Sequence, residues 1–299
     1  MESFIIKNNK LSGLFPSLTD CTSIKIIDFG HNSFKGPIPK TIENLSALQV
    51  LVVKGNYFRG SIPSEISNLK HLQMLDLSSN QISGFILNNI LYLKAMTLTY
   101  DKFNMNVKGI DLSKNHLNGE LPSNFGKLKG LQFLNLSNNN INGTIPSTLW
   151  EISKLAVLDL SSNGISGNIP LELESLCYLG SLNLSNNHLS GSIPQGVLMM
   201  TFGQSSHSGN PNLWGCPLVK NCSWPQFAPP VSITDDEDDS KEKRKKIPWY
   251  GIRQGFSHGV VFAGLLLLLV VRKSWRQKFF KGVDMTVNFL CPFFYNRRL

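Results

Sequence analysis

The sequence carries none of the short signatures by which common enzymes are recognised. It has no GxGxxG loop for nucleotide phosphates, no HRD-like kinase loop, no HExxH pair for zinc and no GxSxG nucleophile elbow, and its six histidines are scattered. No enzyme is expected, and neither a cofactor nor a metal. Residues Met1 to Lys10 show neither a capping segment nor the charged-then-apolar pattern of a secretory signal. Cysteine is sparse, with five in 299 residues. Cys216 and Cys222 are close enough to bridge, and a disulfide there implies an oxidising compartment. Spacing pairs none of Cys21, Cys177 and Cys291; Cys21 and Cys177 read as buried small apolar residues.

What the chain does have is repetition. Leu131 to Pro146, LQFLNLSNNNINGTIP, recurs nearly unchanged at Leu155 to Pro170 and at Leu179 to Pro194. Followed in both directions, the asparagine of this pattern falls at Asn9, Asn32, Asn56, Asn80, Asn115, Asn139, Asn163 and Asn187, in steps of 23, 24, 24, 35, 24, 24 and 24. A period of about 20 to 29 residues headed by LxxLxLxxNxL is the leucine-rich-repeat signature. The LxL portion alternates, so as a short strand it sends two leucines inward and the intervening residues outward. The turn after it leaves backbone groups inside the coil, which an inward Asn amide can satisfy from both ends. The following Gly suits a φ > 0 position, and Ile-Pro suits extended backbone with one donor removed. One coil cannot bury its leucines alone; a stack can. The fold class is thus an α/β-type leucine-rich-repeat solenoid with a parallel β-sheet on its concave face, followed by a single transmembrane helix.

In chain order, residues 1–194 hold about eight rungs. Phe4, Ile6 and Asn9 match only the end of a first strand, so the array starts in mid-repeat. That start is expected of a fragment or truncated gene model of a longer receptor, or else of a natural short form. The one irregular step, near 84–109, carries 11 surplus residues, and Tyr100, Phe103 and Met105 fit no repeat slot. Such an insert is expected to emerge as a loop, either plain or ligand-contacting. Residues 195–223 read as a terminal lid and 224–246 as a charged linker, with the acidic run Asp235 to Asp239 followed by KEKRKK.

The candidate membrane segment is 247–271. Its uncharged part, Gln254 to Val271, would span roughly 27 Å as a helix, just enough to cross a bilayer. Gly251, Gly255 and Gly259 fall on one stripe suited to close helix pairing. Residues 272–299 form a basic tail of 28 residues, too short for a catalytic domain. Net charge is +3 over residues 1–234, −5 in the acidic run and +11 over 241–299, so the basic excess flanks the membrane candidate and does not indicate nucleic acid. Lysine and arginine counts leave the orientation open. Sequons at Asn44, Asn135, Asn142, Asn183 and Asn221, with the cysteine pair, place the stack outside and the tail in the cytoplasm. On the concave face, alternation sends outward Gln132, Phe133 and Asn135, then Ala156, Val157 and Asp159, then Gly180, Ser181 and Asn183. Phe133, the large aromatic among them, is expected to be an exposed anchor.

The repeats, the interruption four rungs before the end, GNPNLWGCPLVKNC, the acidic run, the glycine-striped span and the short basic tail together resemble plant leucine-rich-repeat receptor-like proteins over nearly the whole chain. The resemblance implies a kinase-less plasma-membrane receptor of defence or development. Its ectodomain would bind a peptide or protein ligand, and it would signal through a partner receptor kinase that contacts the last repeats, the lid and the span. The chain departs from that pattern in a shorter interruption, in Trp214 where the lid often has its first Cys, in KEKRKK before the span and in the missing N-terminal cap. A secreted or membrane-tethered leucine-rich-repeat inhibitor or binding protein, or a truncated non-functional fragment, are the alternatives.

Overall fold

A strand of three residues gains little alone. Stacked in register, it buries its inward side chain between equivalent neighbours. The computed structural model describes residues 1–18, 20–86, 88–99 and 107–218. In it, eight such strands lie parallel in sequence order: Ser3–Ile5, Ile26–Asp28, Val50–Val52, Met74–Asp76, Gly109–Asp111, Phe133–Asn135, Val157–Asp159 and Ser181–Asn183. Their register sets Leu51, Leu75, Ile110, Leu134, Leu158 and Leu182 in one buried column.

The surplus of the long step leaves this register untouched, since Met74 pairs with Gly109 and Asp76 with Asp111 across it. It falls between Met96 and Gly109, because the 3-10 segment Asn88–Tyr92 and the one-turn helix Lys94–Thr97 keep the ordinary turn, with Leu93 and Met96 buried in the slots of Leu69 and Leu72. Tyr100, Phe103 and Met105 lie outside the described residues.

The residues after each asparagine build further strands that the sequence reading did not anticipate. Ser12–Gly13, Ser33–Gly36, Tyr57–Gly60, Gln81–Phe85, His116–Glu120 and Asn140–Asn142 form a six-stranded parallel sheet. Ser166–Asn168, His188–Ser192 and Asn212–Trp214 form a three-stranded one. Each coil then closes through a short 3-10 turn. In Lys40–Asn44, Ser64–Asn68, Ser147–Glu151 and Leu171–Ser175 that turn starts directly after the proline of the Ile-Pro pair. The proline ring holds φ between −65° and −73° on extended backbone, so the entry to the turn is already set. The preceding isoleucines, Ile38, Ile62, Ile145 and Ile169, are buried.

The early coils are filled differently from the later ones. Phe29 meets Phe4 edge-on at 5.1 Å and Phe34 at 5.6 Å, and Phe34 stacks on Phe58 at 6.3 Å, where later coils use leucine or isoleucine.

The asparagine ladder stitches one coil to the next. Asn139 Nδ2 donates to Leu136 O and Ser137 O of its own coil and to Leu112 O of the preceding coil, at 3.0, 3.3 and 3.0 Å. Its Oδ1 accepts from Leu117 N at 3.0 Å. The equivalent bonds recur at Asn32, Asn56, Asn80, Asn115, Asn163 and Asn187. Among the described residues Asn9, in the first coil given, bonds Ile6 O and Lys7 O of its own turn.

The ladder also extends one step into the segment read as a lid. Asn210, 23 residues after Asn187, donates to Leu184 O and His207 O and accepts from Leu189 N. His207 occupies the inward slot held by Leu136, Leu160 and Leu184 in the preceding coils and is fully buried. Burial pushes its pKa down, so it stays neutral, with Nδ1 3.3 Å from Gly203 O.

Candidate recognition surfaces

The concave face is the outward side of the eight-stranded sheet, and the sequence places every proposed recognition residue on it. The side chains behave in two ways. At the exit of each strand an Asp or Asn caps its own turn. Asp159 Oδ1 accepts from Ser161 N and Oγ at 2.9 and 2.7 Å, and Asn135 and Asn183 accept in the same way from Ser137 and Ser185. Asn135 also reaches Asp111 Oδ2, and Asn183 reaches Asp159 Oδ2, each at 3.4 Å. Asn135, Asp159 and Asn183 therefore spend much of their hydrogen-bonding capacity within the fold. Gln132, Ala156, Val157 and Ser181 are half-buried and Gly180 is exposed, a run of mostly small side chains between neighbouring strands.

Phe133 departs from expectation. Alternation does turn it away from the Leu134 column, yet it is only 6 % exposed and is not an exposed anchor. Its register partners are Gly109 and Val157, and a Cβ on Gly109 would sit 3.4 Å from Phe133 Cβ and 3.0 Å from Met74 Cε. Met74 and Phe133 crowd the bare glycine from both sides. Asp159, expected to face outward, is likewise buried at 7 %.

The electrostatics of the face centre on Asp76 and Asp111, register neighbours across the insert. Burial raises both pKa values. Asp111 is pushed up to about 7, first by desolvation and then by the charge of Asp76. Lys54 Nζ lies 3.9 Å from Asp76 Oδ2 and acts in the opposite sense on that group. Neither aspartate stood out in the sequence. Both occupy the ordinary slot before the second leucine, and only their adjacency in register sets them apart.

Cys216 is held in a disulfide, but Cys222, its expected partner, lies outside the described residues. Cys177, read as a buried apolar residue, is half-buried and held in a disulfide, which corrects that reading. Cys21 is a free, partly buried thiol packed against the core. Asn44 and Asn142 are exposed. Asn221, the stripe Gly251, Gly255 and Gly259, and the whole of 247–271 lie outside the described residues. Among the described residues no helix is long and apolar enough to cross a membrane.

Leucine-rich-repeat family models match residues 39–82 and 105–165, and again 23–45 and 178–199. The receptor-like protein EIX1 of Solanum lycopersicum is 35% identical over 99 residues, which is 31% of this chain and 9% of that protein. The ectodomain of the Arabidopsis receptor kinase HAESA, solved in complex with an IDA peptide hormone, is similar with 34% identity and a TM-score of 0.61, over 74% of this chain and 39% of HAESA's. HAESA in complex with IDA and the co-receptor SERK1 is similar with 36% identity and a TM-score of 0.54, over 71% of this chain and 38% of that one. The chain thus matches about a tenth of the length of its curated relative. The repeat geometry, the asparagine ladder and these similarities agree: the chain is built of leucine-rich repeats and is similar to the leucine-rich-repeat receptor-like proteins of plants.

Proposed function

We propose that this chain acts as a membrane-anchored, non-catalytic receptor at the plasma membrane. Its repeats face outward and bind a peptide or protein ligand, and a partner receptor kinase carries the signal in defence or development. The observation that most supports this reading is the unbroken eight-stranded sheet, at whose last two strands Ala156, Gly180 and Ser181 are small enough to admit an extended ligand. The similar HAESA ectodomain was captured with a peptide hormone and a co-receptor.

Two variants separate the ectodomain from the span. Ala156→Arg with Ser181→Arg fills the concave trough. Gly255→Ile with Gly259→Ile holds helix backbones apart in the bilayer. In co-precipitation from plant membranes, each is expected to reduce recovery of a receptor kinase severalfold at unchanged surface level. Undiminished recovery with both variants would refute the receptor reading.

The outside location carries its own expectation. Glycans are expected on Asn44 and Asn142, and none on Asn135 or Asn183, whose amides are half-buried and hydrogen-bonded to Asp111 and Asp159. Site-by-site mass spectrometry of chain purified from plant membranes checks this, and an unmodified Asn44 and Asn142 would count against an external ectodomain.

A further inference from the structure

Three successive coils place a lysine at the same point of their closing turn. Directly after the buried Leu69, Leu93 and Leu128 come Lys70, Lys94 and Lys129, all exposed. The coil before this file has Ser46 in the slot and the two after it have Ser153 and Cys177, so the file belongs to the coils around the insert. Neighbouring coils are about 4.8 Å apart at the sheet and somewhat more at this outer side. A fourth lysine, Lys127, stands beside the file with its ammonium 5.0 Å from the centre of the Tyr92 ring. Together they line an open groove of about 600 Å³.

Among the described residues none of these four lysines is in an ion pair, whereas Lys7, Lys25, Lys40 and Lys54 each have a carboxylate partner. Two carboxylates of the neighbouring turns are already engaged. Glu43 accepts from Asn68 at 2.6 Å at the rim, and Glu65 is bound by Lys40 and Ser64. Four like charges lining one groove, three of them in a file from coil to coil, favour an anion that carries its charges in a row.

The neutral groups narrow the chemistry. Ser67 Oγ donates to Ser64 O and Thr97 Oγ1 to Lys94 O, both at 2.8 Å. Their protons are committed, and they offer the groove only lone pairs. A carboxylate cannot use a lone pair, but a sugar hydroxyl can donate to one. The N–H groups of Leu69, Leu93 and Leu128 are bonded within their own turns to Ile66, Ile90 and Phe125, so they are not open to a peptide strand.

We propose that this groove binds an acidic oligosaccharide with one carboxylate per sugar ring, the lysine file meeting successive carboxylates and Ser67 and Thr97 accepting from ring hydroxyls. The test uses the full chain and a fluorescent, fully de-esterified oligogalacturonate, read by anisotropy. Binding is expected to fall at least about tenfold in K70E/K94E/K129E, and by a similar order when salt rises from about 50 to 200 mM, as counterion release over three contacts requires. K10E/K35E, which removes two exposed lysines elsewhere, is expected to bind like the parent. Parental affinity in the triple variant, equal loss in K10E/K35E, or no binding by the parent would overturn the proposal. Equal affinity for an oligoglutamate of the same charge would also overturn it, because the groove would then be reading charge alone and an acidic peptide would be its partner.

Discussion

Asn139→Leu is expected to lower the unfolding free energy by about 3 kcal/mol or more, while Asn9→Leu is expected to cost less than about 1 kcal/mol. The two residues sit in the same slot of the repeat, so propensity and side-chain size cancel in the comparison. The difference lies in what each amide satisfies. Removing the Asn139 amide leaves Leu117 N–H and Leu112 O of one coil, and two further carbonyls of its own coil, without that partner in a buried setting. Each unpaired buried backbone group costs about 1 to 3 kcal/mol, and some carbonyls retain a second partner. Asn9 is exposed and bonds only its own turn, where water can substitute. Urea denaturation of the two variants beside the parent decides it. Equal, small losses would mean that the ladder follows the fold and does not hold it.

Gly130→Ala is expected to cost about 2 to 4 kcal/mol and to detach the short helix Lys94–Thr97 from the next coil. The slot is not a glycine slot in general, since Ala47, His71, Lys154 and Tyr178 fill it elsewhere. At Gly130 the insert returns so closely that an added Cβ would lie 2.0 Å from Leu98 O and 3.0 Å from Met96 O. Both contacts are backbone, so no side-chain rotation relieves them. Gly130 N–H also donates to Met96 O at 2.9 Å, a bond between the short helix and the next coil. Hydrogen exchange is expected to show lost protection around Met96 and little change at Leu158 or Leu182. Unchanged protection at Met96 would show that the insert yields without leaving the coil.

Where physics repeats, the sequence was readable. The inward leucines and the asparagines recur every 24 residues because each coil solves the same burial and hydrogen-bonding problem, so the eight-stranded sheet and its order followed from spacing alone. The second and third sheets were not readable in that way. Their strands run two to five residues, and their pairing comes from stacking imposed by the first sheet. Asn210 was missed because the coil ahead of it does not look like its predecessors: His207 stands in the leucine slot and Gly209 in the left-handed position, with φ +73°. Phe133 was misjudged because alternation gives direction, whereas exposure depends on the neighbours in register, here Gly109 and Val157. The lysine file escaped notice for the opposite reason. Lys70, Lys94 and Lys129 are separated by steps of 24 and 35 residues, and the longer step hides that they share a slot.

All of the ladder bonds between coils point the same way along the chain. Asn32 reaches back to Ile6 and Leu11, Asn56 to Phe29 and Phe34, and Asn210 to Leu184 and Leu189; none of these amides reaches forward. During synthesis a coil therefore finds its amide's partners already made, and nothing still inside the ribosome is needed to complete that set of bonds. The stack can lengthen as it emerges, one turn at a time, with only its newest coil unfinished. The same asymmetry makes the two ends unequal. Loss of the first coil leaves the Asn32 amide without its backward partners, whereas loss of the last leaves Leu184 O and Leu189 N–H without theirs.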